Sequence, residues 1–221
     1  MLITLTEVTK GPKNSALPPT TLEFRSRAVT VVPAETERRP TVLGLIASGR
    51  MRPDSGRVQI NHQTDYSRMR KRIALVDALG VSEPAGDVTV AEVVAEELMF
   101  AGRFGHPRAV TRVLADLGLA DLARSNMADV APDARIRLLT ELAVLRTDVQ
   151  ALVITSPDRH GGDPLGWSAV AADLAERGYA VLVIAGEAAA RAVAETATPA
   201  DVSRTSTASP AESAEREGVA A

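Results

Sequence analysis

The strongest constraint in the sequence is a set of short, wholly apolar runs fenced by helical patterns: Ile73 to Val76, Ala151 to Ile154, and Tyr179 to Ala185. Unbroken apolar runs of strand length mark strands covered on both faces, because neither face meets water. A helical pattern over Ala134 to Leu145 leads into the second run. Another over about Leu165 to Glu176, stopped by Gly178, leads into the third. Alternating strands and helices predict a parallel sheet with helices on both faces.

The chain's 221 residues suffice for one large domain or two small ones. Aromatics are only 3% of it, so the core must be built from Ala, Val, Leu and Ile, and stacking on single-stranded nucleic acid is disfavoured. A net charge of -3 also argues against a general electrostatic hold on duplex DNA, and no nucleic-acid partner is expected. The absence of cysteine removes disulfides, thiolate metal sites and a thiol nucleophile, and agrees with a cytoplasmic chain. No stretch approaches the roughly 18 to 20 apolar residues of a membrane span. The start, MLITLTEVTKGPK, lacks the order of a signal peptide. Any membrane association is expected to be peripheral, through a partner.

Before the first apolar run, residues 1 to 8 alternate as a strand, and Leu22 to Val32 repeat the habit after a break at Leu17-Pro18-Pro19. Pro40 to Ser48 reads as a short buried helix with proline in its first turn. A turn at Pro53 to Gly56 precedes a strand over Arg57 to Asn61, and Arg68 to Arg72 is a basic cluster ahead of the apolar run. From Val88 the character is helical: Thr89 and Glu92 have capping-box spacing, and a second helix runs through Val110 to Leu117. Beyond Ala192 the chain turns to Ser, Thr, Pro, Ala and Glu, and residues 193 to 221 are predicted to be a disordered tail.

In order, these pieces resemble the ATP-binding cassette, the nucleotide-binding domain of ABC transporters, over about residues 2 to 190. LGLIASGRMRPDSGRVQIN (Leu43 to Asn61) looks like the helix, turn and strand after that family's phosphate loop. VTVAEVVAEELMFAGR (Val88 to Arg103) and VLADLGLADLARSN (Val113 to Asn126) resemble its helical subdomain, here about 88 to 130. RIRLLTELAVLRTDVQALVI (Arg135 to Ile154) is similar to its run from signature helix to Walker B strand, and Gly161 to Glu187 to its D-loop and following strand. The resemblance implies an α/β, P-loop-NTPase-like core over residues 1 to 192, with an N-terminal antiparallel β portion. It also implies an integral membrane transporter subunit as partner, a homo- or heterodimer with another cassette, and a place at the inner face of the cell membrane.

The family's chemical positions are altered. None of the 15 glycines is followed by Lys, so no Gly-Lys-[Ser/Thr] phosphate loop exists. The loop's place falls on Pro33-Ala34-Glu35-Thr36-Glu37-Arg38-Arg39-Pro40-Thr41, where only Thr41 matches. Such loops aim successive N–H groups at phosphate, and Pro33 and Pro40 have none. Glu35 and Glu37 put carboxylates where a triphosphate would lie, each costing about 1 to 4 kcal/mol at about 4 Å. Arg39 stands for the lysine without its compact ammonium. The signature motif falls on Val130 to Ala134, the Walker B aspartate and catalytic glutamate on Thr155 and Ser156, the Q-loop glutamine on Ala78, and the switch histidine on Gly186. Only Asp163-Pro164, the D-loop pair, looks intact. Without the carboxylate at position 156 nothing polarises an attacking water. The expectation is a degenerate cassette with no catalytic, metal or cofactor-binding residues. The alternative is an energy-coupling subunit that still binds ATP and magnesium.

Other candidates carry less. Ser156, His160 and Asp163 suggest a hydrolase triad, but I-T-S-P-D lacks the G-x-S-x-G elbow. His62, His106 and His160 are too scattered for a ligand set and default to surface or loop positions. Arg38-Arg39 is taken as a solvated loop rather than an anion site, and Arg68 to Arg72 as a solvated approach to a strand rather than a contact for lipid or a partner's acidic loop. Met99 and Phe100, ending the helix that starts near Thr89, could receive a helix of a membrane subunit.

Overall fold

A computed structural model describes residues 1–35 and 38–196. The first sheet is antiparallel: β1 (Leu2–Lys10) is flanked by β2 (Leu17–Arg25) and β4 (Ser55–Ile60). Between these last two in the chain come β3 (Ala28–Pro33) and helix α1 (Arg39–Ala47). Leu22 to Val32 is therefore not one strand. Its first part pairs with β1, and after the positive-φ residue Arg27 the chain enters the second sheet. Pro18 and Pro19 lie within β2 instead of breaking before it, which an edge strand tolerates because one side of its backbone needs no partner.

The second sheet is parallel, in the order β3, β7 (Ala180–Ala185), β6 (Ala151–Thr155), β5 (Ile73–Val76). Its residues alternate sides, as strand geometry requires. Val31, Val76, Leu152, Ile154, Val181 and Val183 face a core with α3 (Val90–Phe100), α4 (Pro107–Asp116), α5 (Pro132–Ala143), α6 (Pro164–Glu176) and α7 (Glu187–Thr196). Val32, Ile73, Leu75, Val153, Leu182 and Ile184 face the other core, closed by α1 and the antiparallel sheet, with Met69 of α2 (Tyr66–Arg72). Helices thus dominate one face, and the antiparallel sheet takes most of the other. At about 1.5 to 3 kcal/mol for each large aliphatic side chain buried, these layers supply the main drive to fold, and the aromatic side chains of Phe24 and Trp167 are buried among them.

The basic stretch before Ile73 is a helix, because Asp65 accepts the Arg68 N–H at 2.9 Å and caps it. Helix α3 starts with the expected capping box: the Thr89 N–H donates to Glu92 at 2.8 Å, and Thr89 accepts the Glu92 N–H at 3.3 Å. Order continues past Ala192, since α7 runs to Thr196 and buries Ala189 and Val193. The rest of the expected tail, 197 to 221, lies outside the described residues. No helix among the described residues is long and apolar enough to cross a membrane.

Candidate functional site

Parallel strands bring their carboxyl ends to one edge, and most of the chemical positions singled out in the sequence meet there. Pro33 is level with Ala185, Thr155 with Ile184, and Val76 with Ile154. Pro33, Ala34 and Glu35 leave β3, Ser156 leaves β6, Asp77 and Ala78 leave β5, and Gly186 leaves β7. Thr36 and Glu37 lie outside the described residues.

Backbone and carboxylate groups at this edge are committed to one another. The Ala34 N–H donates to the Ala185 carbonyl at 2.9 Å, extending the sheet through the start of the phosphate-loop segment. Glu35 accepts the Glu187 N–H at 3.1 Å, and Asp158 accepts the Gly186 N–H at 3.1 Å. Two carboxylates of the chain therefore sit at the N-terminal end of α7, where helix N–H groups otherwise attract anions. A Cβ on Gly186 would stand 2.7 Å from Asp158 Oδ2, so Asp158 leaves no room for a side chain at the position the resemblance gives to the switch histidine. Thr155 is buried, and its hydroxyl donates to the Val76 carbonyl at 3.3 Å. Its methyl abuts α1, where a Cβ on Gly44 would lie 2.7 Å from Thr155 Cγ2. Ser156 has a left-handed backbone (φ 46°), and its N–H donates to the Ile184 carbonyl at 2.7 Å.

Arg39 and Pro40 form the first turn of α1 after Arg38, which makes no side-chain cap, and Thr41 is half-buried. Among the described residues, the buried Arg39 Nε has no hydrogen-bond partner. Ala78 is buried, and its carbonyl accepts the Val81, Ser82 and Glu83 N–H groups, which folds the Q-loop segment into a tight turn. At the signature position, Pro132 and Asp133 open α5, and the Asp133 carboxylate lies against the Cα of Gly166, which leaves no room for a side chain there. Asp163 caps α6 by accepting the Leu165 N–H at 2.9 Å, so it is not oriented as a triad acid.

The most concentrated electrostatics come from residues the sequence did not single out as a group. Asp77, in the left-handed region at φ 56°, is wholly buried. Arg135, in the first turn of α5, reaches it with Nε at 3.2 Å and Nη2 at 2.8 Å, and gives Nη1 to the Met127 carbonyl at 3.1 Å. Arg159 donates Nη1 to the Asp77 carbonyl at 2.6 Å. Its Nη2 lies 3.1 Å from Asp77 and 3.0 Å from Glu83, as ion-pair contacts rather than aligned hydrogen bonds. His160 Nε2 meets Asp77 Oδ2 at 2.9 Å. This histidine is therefore a half-buried member of a network, not a free loop residue, and it faces Asp77 instead of Ser156. Burial pushes its imidazolium below the ordinary range, against the lift from Asp77, while Arg135 and Arg159 lower it further.

Asp77, Glu83 and His160 bring three donor atoms within 4.8 Å of one another. Two guanidiniums already neutralise this pair of carboxylates, so a cation there would meet positive charge from both sides. What the arrangement does is mechanical: it ties the Q-loop segment, the segment before α5, α5 itself and the loop after β6 into one unit.

No family model matches the sequence, and no curated protein does. Solved structures do match by shape. A nucleotide-free ATP-binding cassette from an ABC transporter superposes at TM-score 0.62 with 15% identity, covering 84% of this chain and 81% of that one. A dimeric bacterial ABC transporter cassette superposes at 0.61 with 18% identity, covering 86% and 90%. CbiO1 from Clostridium perfringens, part of the ABC transporter complex CbiONQ, superposes at 0.55 with 18% identity, covering 83% and 77%. The chain is similar to each of these over most of its length, and its α/β architecture of joined antiparallel and parallel sheets is the fold of the ATP-binding cassettes.

Proposed function

We propose that this chain is a cassette-type subunit of an ABC-type membrane transport complex that acts by position rather than by turning over ATP. The observation that carries the proposal is the occupancy of the nucleotide edge by the protein's own groups. Glu35 and Asp158 take the N–H groups at the start of α7, the Ala34 N–H belongs to the sheet, and the Thr155 hydroxyl belongs to Val76. A magnesium nucleotide does not fit these residues: its phosphates would face two carboxylates, and no acidic side chain stands at position 155 or 156 to hold the ion. The scaffold around this edge is intact, which supports a partner-binding role. Leu79, Val81, Met99 and Phe100 expose between 46% and 66% of their surface on the Q-loop segment and the end of α3. These apolar side chains offer a seat for a helix of an integral membrane subunit. Asp163, at the D-loop position, would contribute packing to a composite site in a dimer with an active cassette.

One observation favours the rival, a subunit that still binds nucleotide: the buried Arg39 Nε, at the start of α1, has no partner among the described residues. Native purification from detergent-solubilised membranes, with a thermal-shift series in ATP, separates these. An integral membrane protein recovered with the chain and a melting temperature indifferent to ATP support the proposal. Stabilisation by ATP supports the rival, and recovery of no membrane protein leaves a scaffold outside any transporter.

A further inference from the structure

Of the chain's three phenylalanines, Phe24 is buried, Phe100 at the end of α3 is 66% exposed, and Phe104 is 86% exposed. Phe104 lies in the connection from α3 to α4 and is the barest large apolar side chain among the described residues. A phenylalanine left in water forgoes the gain of burial, and a loop built to keep it there calls for a reason. This loop is built. The Gly102 N–H donates to the Met99 carbonyl at 3.0 Å and the Arg103 N–H to the Leu98 carbonyl at 2.8 Å. The Gly105 backbone lies so close to α3 that a Cβ there would stand 2.5 Å from the Ala95 carbonyl oxygen, and His106 Nδ1 accepts the Ala109 N–H at 3.1 Å to cap α4. The backbone is therefore fixed on both sides of Phe104 while its ring stays outside.

The charge around the loop has one sign. Residues 98–115 carry three arginines, Arg103, Arg108 and Arg112, and no acid, in a chain that is net negative at -3. All three are exposed, and none has a carboxylate within 4.0 Å among the described residues. Arg108 and Arg112, one turn apart, share the face of α4 turned away from the buried Val110 and Leu114.

We propose that the connection between α3 and α4 binds an anionic bilayer directly, with Phe104 entering the boundary between headgroups and acyl chains and Arg103, Arg108 and Arg112 meeting the lipid phosphates. This goes beyond the transport reading, in which a partner makes the membrane contact, and does not rest on it. An aromatic ring flanked by cations suits that boundary: the ring gains burial, and each guanidinium gains from the negative surface. A bilayer fits better than a protein groove, because a ring this exposed lines no recess of its own, and a deformable surface takes in a protrusion without a matching pocket. One ring and three charges give weak, reversible binding that depends on anionic lipid and on salt.

The test is co-sedimentation of the full chain with vesicles of 7:3 phosphatidylcholine and phosphatidylserine, and with vesicles of phosphatidylcholine alone. Binding should favour the anionic vesicles about tenfold or more and weaken as salt rises from about 50 to about 500 mM. R103Q, R108Q and R112Q should each lose about fivefold, and F104S about tenfold or more, while R25Q on the edge strand β2 changes little. Melting temperatures close to wild type confirm that the variants fold. In F104W, emission should shift to the blue on anionic vesicles, whereas Trp167, 3% exposed, leaves the parent signal unchanged. No vesicle binding, equal binding to both vesicles, or variants that bind like wild type overturns the proposal. So does a membrane protein that co-purifies with wild type but not with F104S while vesicles are not bound, which would make the loop a protein contact. Co-purification reports separately on the transporter role: its failure with vesicle binding intact removes that role and leaves the lipid contact.

Discussion

Replacing Asp77 by Asn tests how much of the fold hangs on the buried network. Asparagine keeps the volume and accepts the left-handed backbone at φ 56°, so neither a cavity nor new strain confuses the result. What it removes is the negative charge facing Arg135 and Arg159, whose side chains are 4% and 19% exposed. Breaking a buried pair from one side costs about 3 to 5 kcal/mol, because the remaining charge stays desolvated. Glu83 retains Arg159 at 3.0 Å, which leaves Arg135 as the main casualty. Against a total stability of about 5 to 15 kcal/mol, the loss is large. With a urea slope of about 1 to 3 kcal/mol per molar, the unfolding midpoint should fall by roughly 1 to 5 M. Converting Arg135 to Met in the same chain should recover part of the loss, because the stranded charge goes with it. A midpoint within about 0.3 M of wild type at an unchanged slope would refute a structural role for the network.

Two further expectations follow from the same edge of the sheet. In Gly44→Ala the new methyl meets Thr155 Cγ2 at 2.7 Å and Leu75 Cδ1 at 3.0 Å. Overpacking of about 1 to 3 kcal/mol should outweigh a helix-propensity gain of at most about 1 kcal/mol. Adding Thr155→Ser, which removes Cγ2 and keeps the hydroxyl on Val76, should restore the melting temperature; no rescue would put the strain elsewhere. His160 titrates below its ordinary 6.5 in the folded state, so just below that pH the unfolded chain binds more protons and acidification destabilises. Glu97, pushed up by burial, works in the opposite direction above 4.5, so the His160 contribution is read as a difference. Between pH 7.5 and 5.5 wild type should lose more urea resistance than His160→Gln, and equal losses would contradict the assignment.

The regular elements could be read from the sequence wherever their cause is local. Ile73 to Val76, Ala151 to Ile154 and the run ending at Ala185 are strands because they are apolar on both faces, and Thr89 with Glu92 announces α3 three residues apart. Where two causes overlap, the sequence pattern misleads. Arg68 to Arg72 looked like a charged approach, yet Asp65 caps it as a helix; Leu22 to Val32 kept its strand habit across a change of sheet. The edge proposed for nucleotide is legible only through resemblance to cassettes, and the parallel topology explains why those separate positions meet. The Asp77 network was hidden because its partners lie 58 and 83 residues away, and no periodicity links them. Its one trace was Arg135, charged yet set among Ile136, Leu138 and Leu139 in a helix start.

The central claim, a cassette scaffold whose own side chains close its nucleotide edge, is tested most directly by calorimetric titration with Mg-ATP alongside a phosphate-release assay. The account predicts no saturable heat and no phosphate above background, in wild type and in Thr155 or Ser156 variants alike. Micromolar binding, or turnover that a change at Thr155 or Ser156 abolishes, would contradict it.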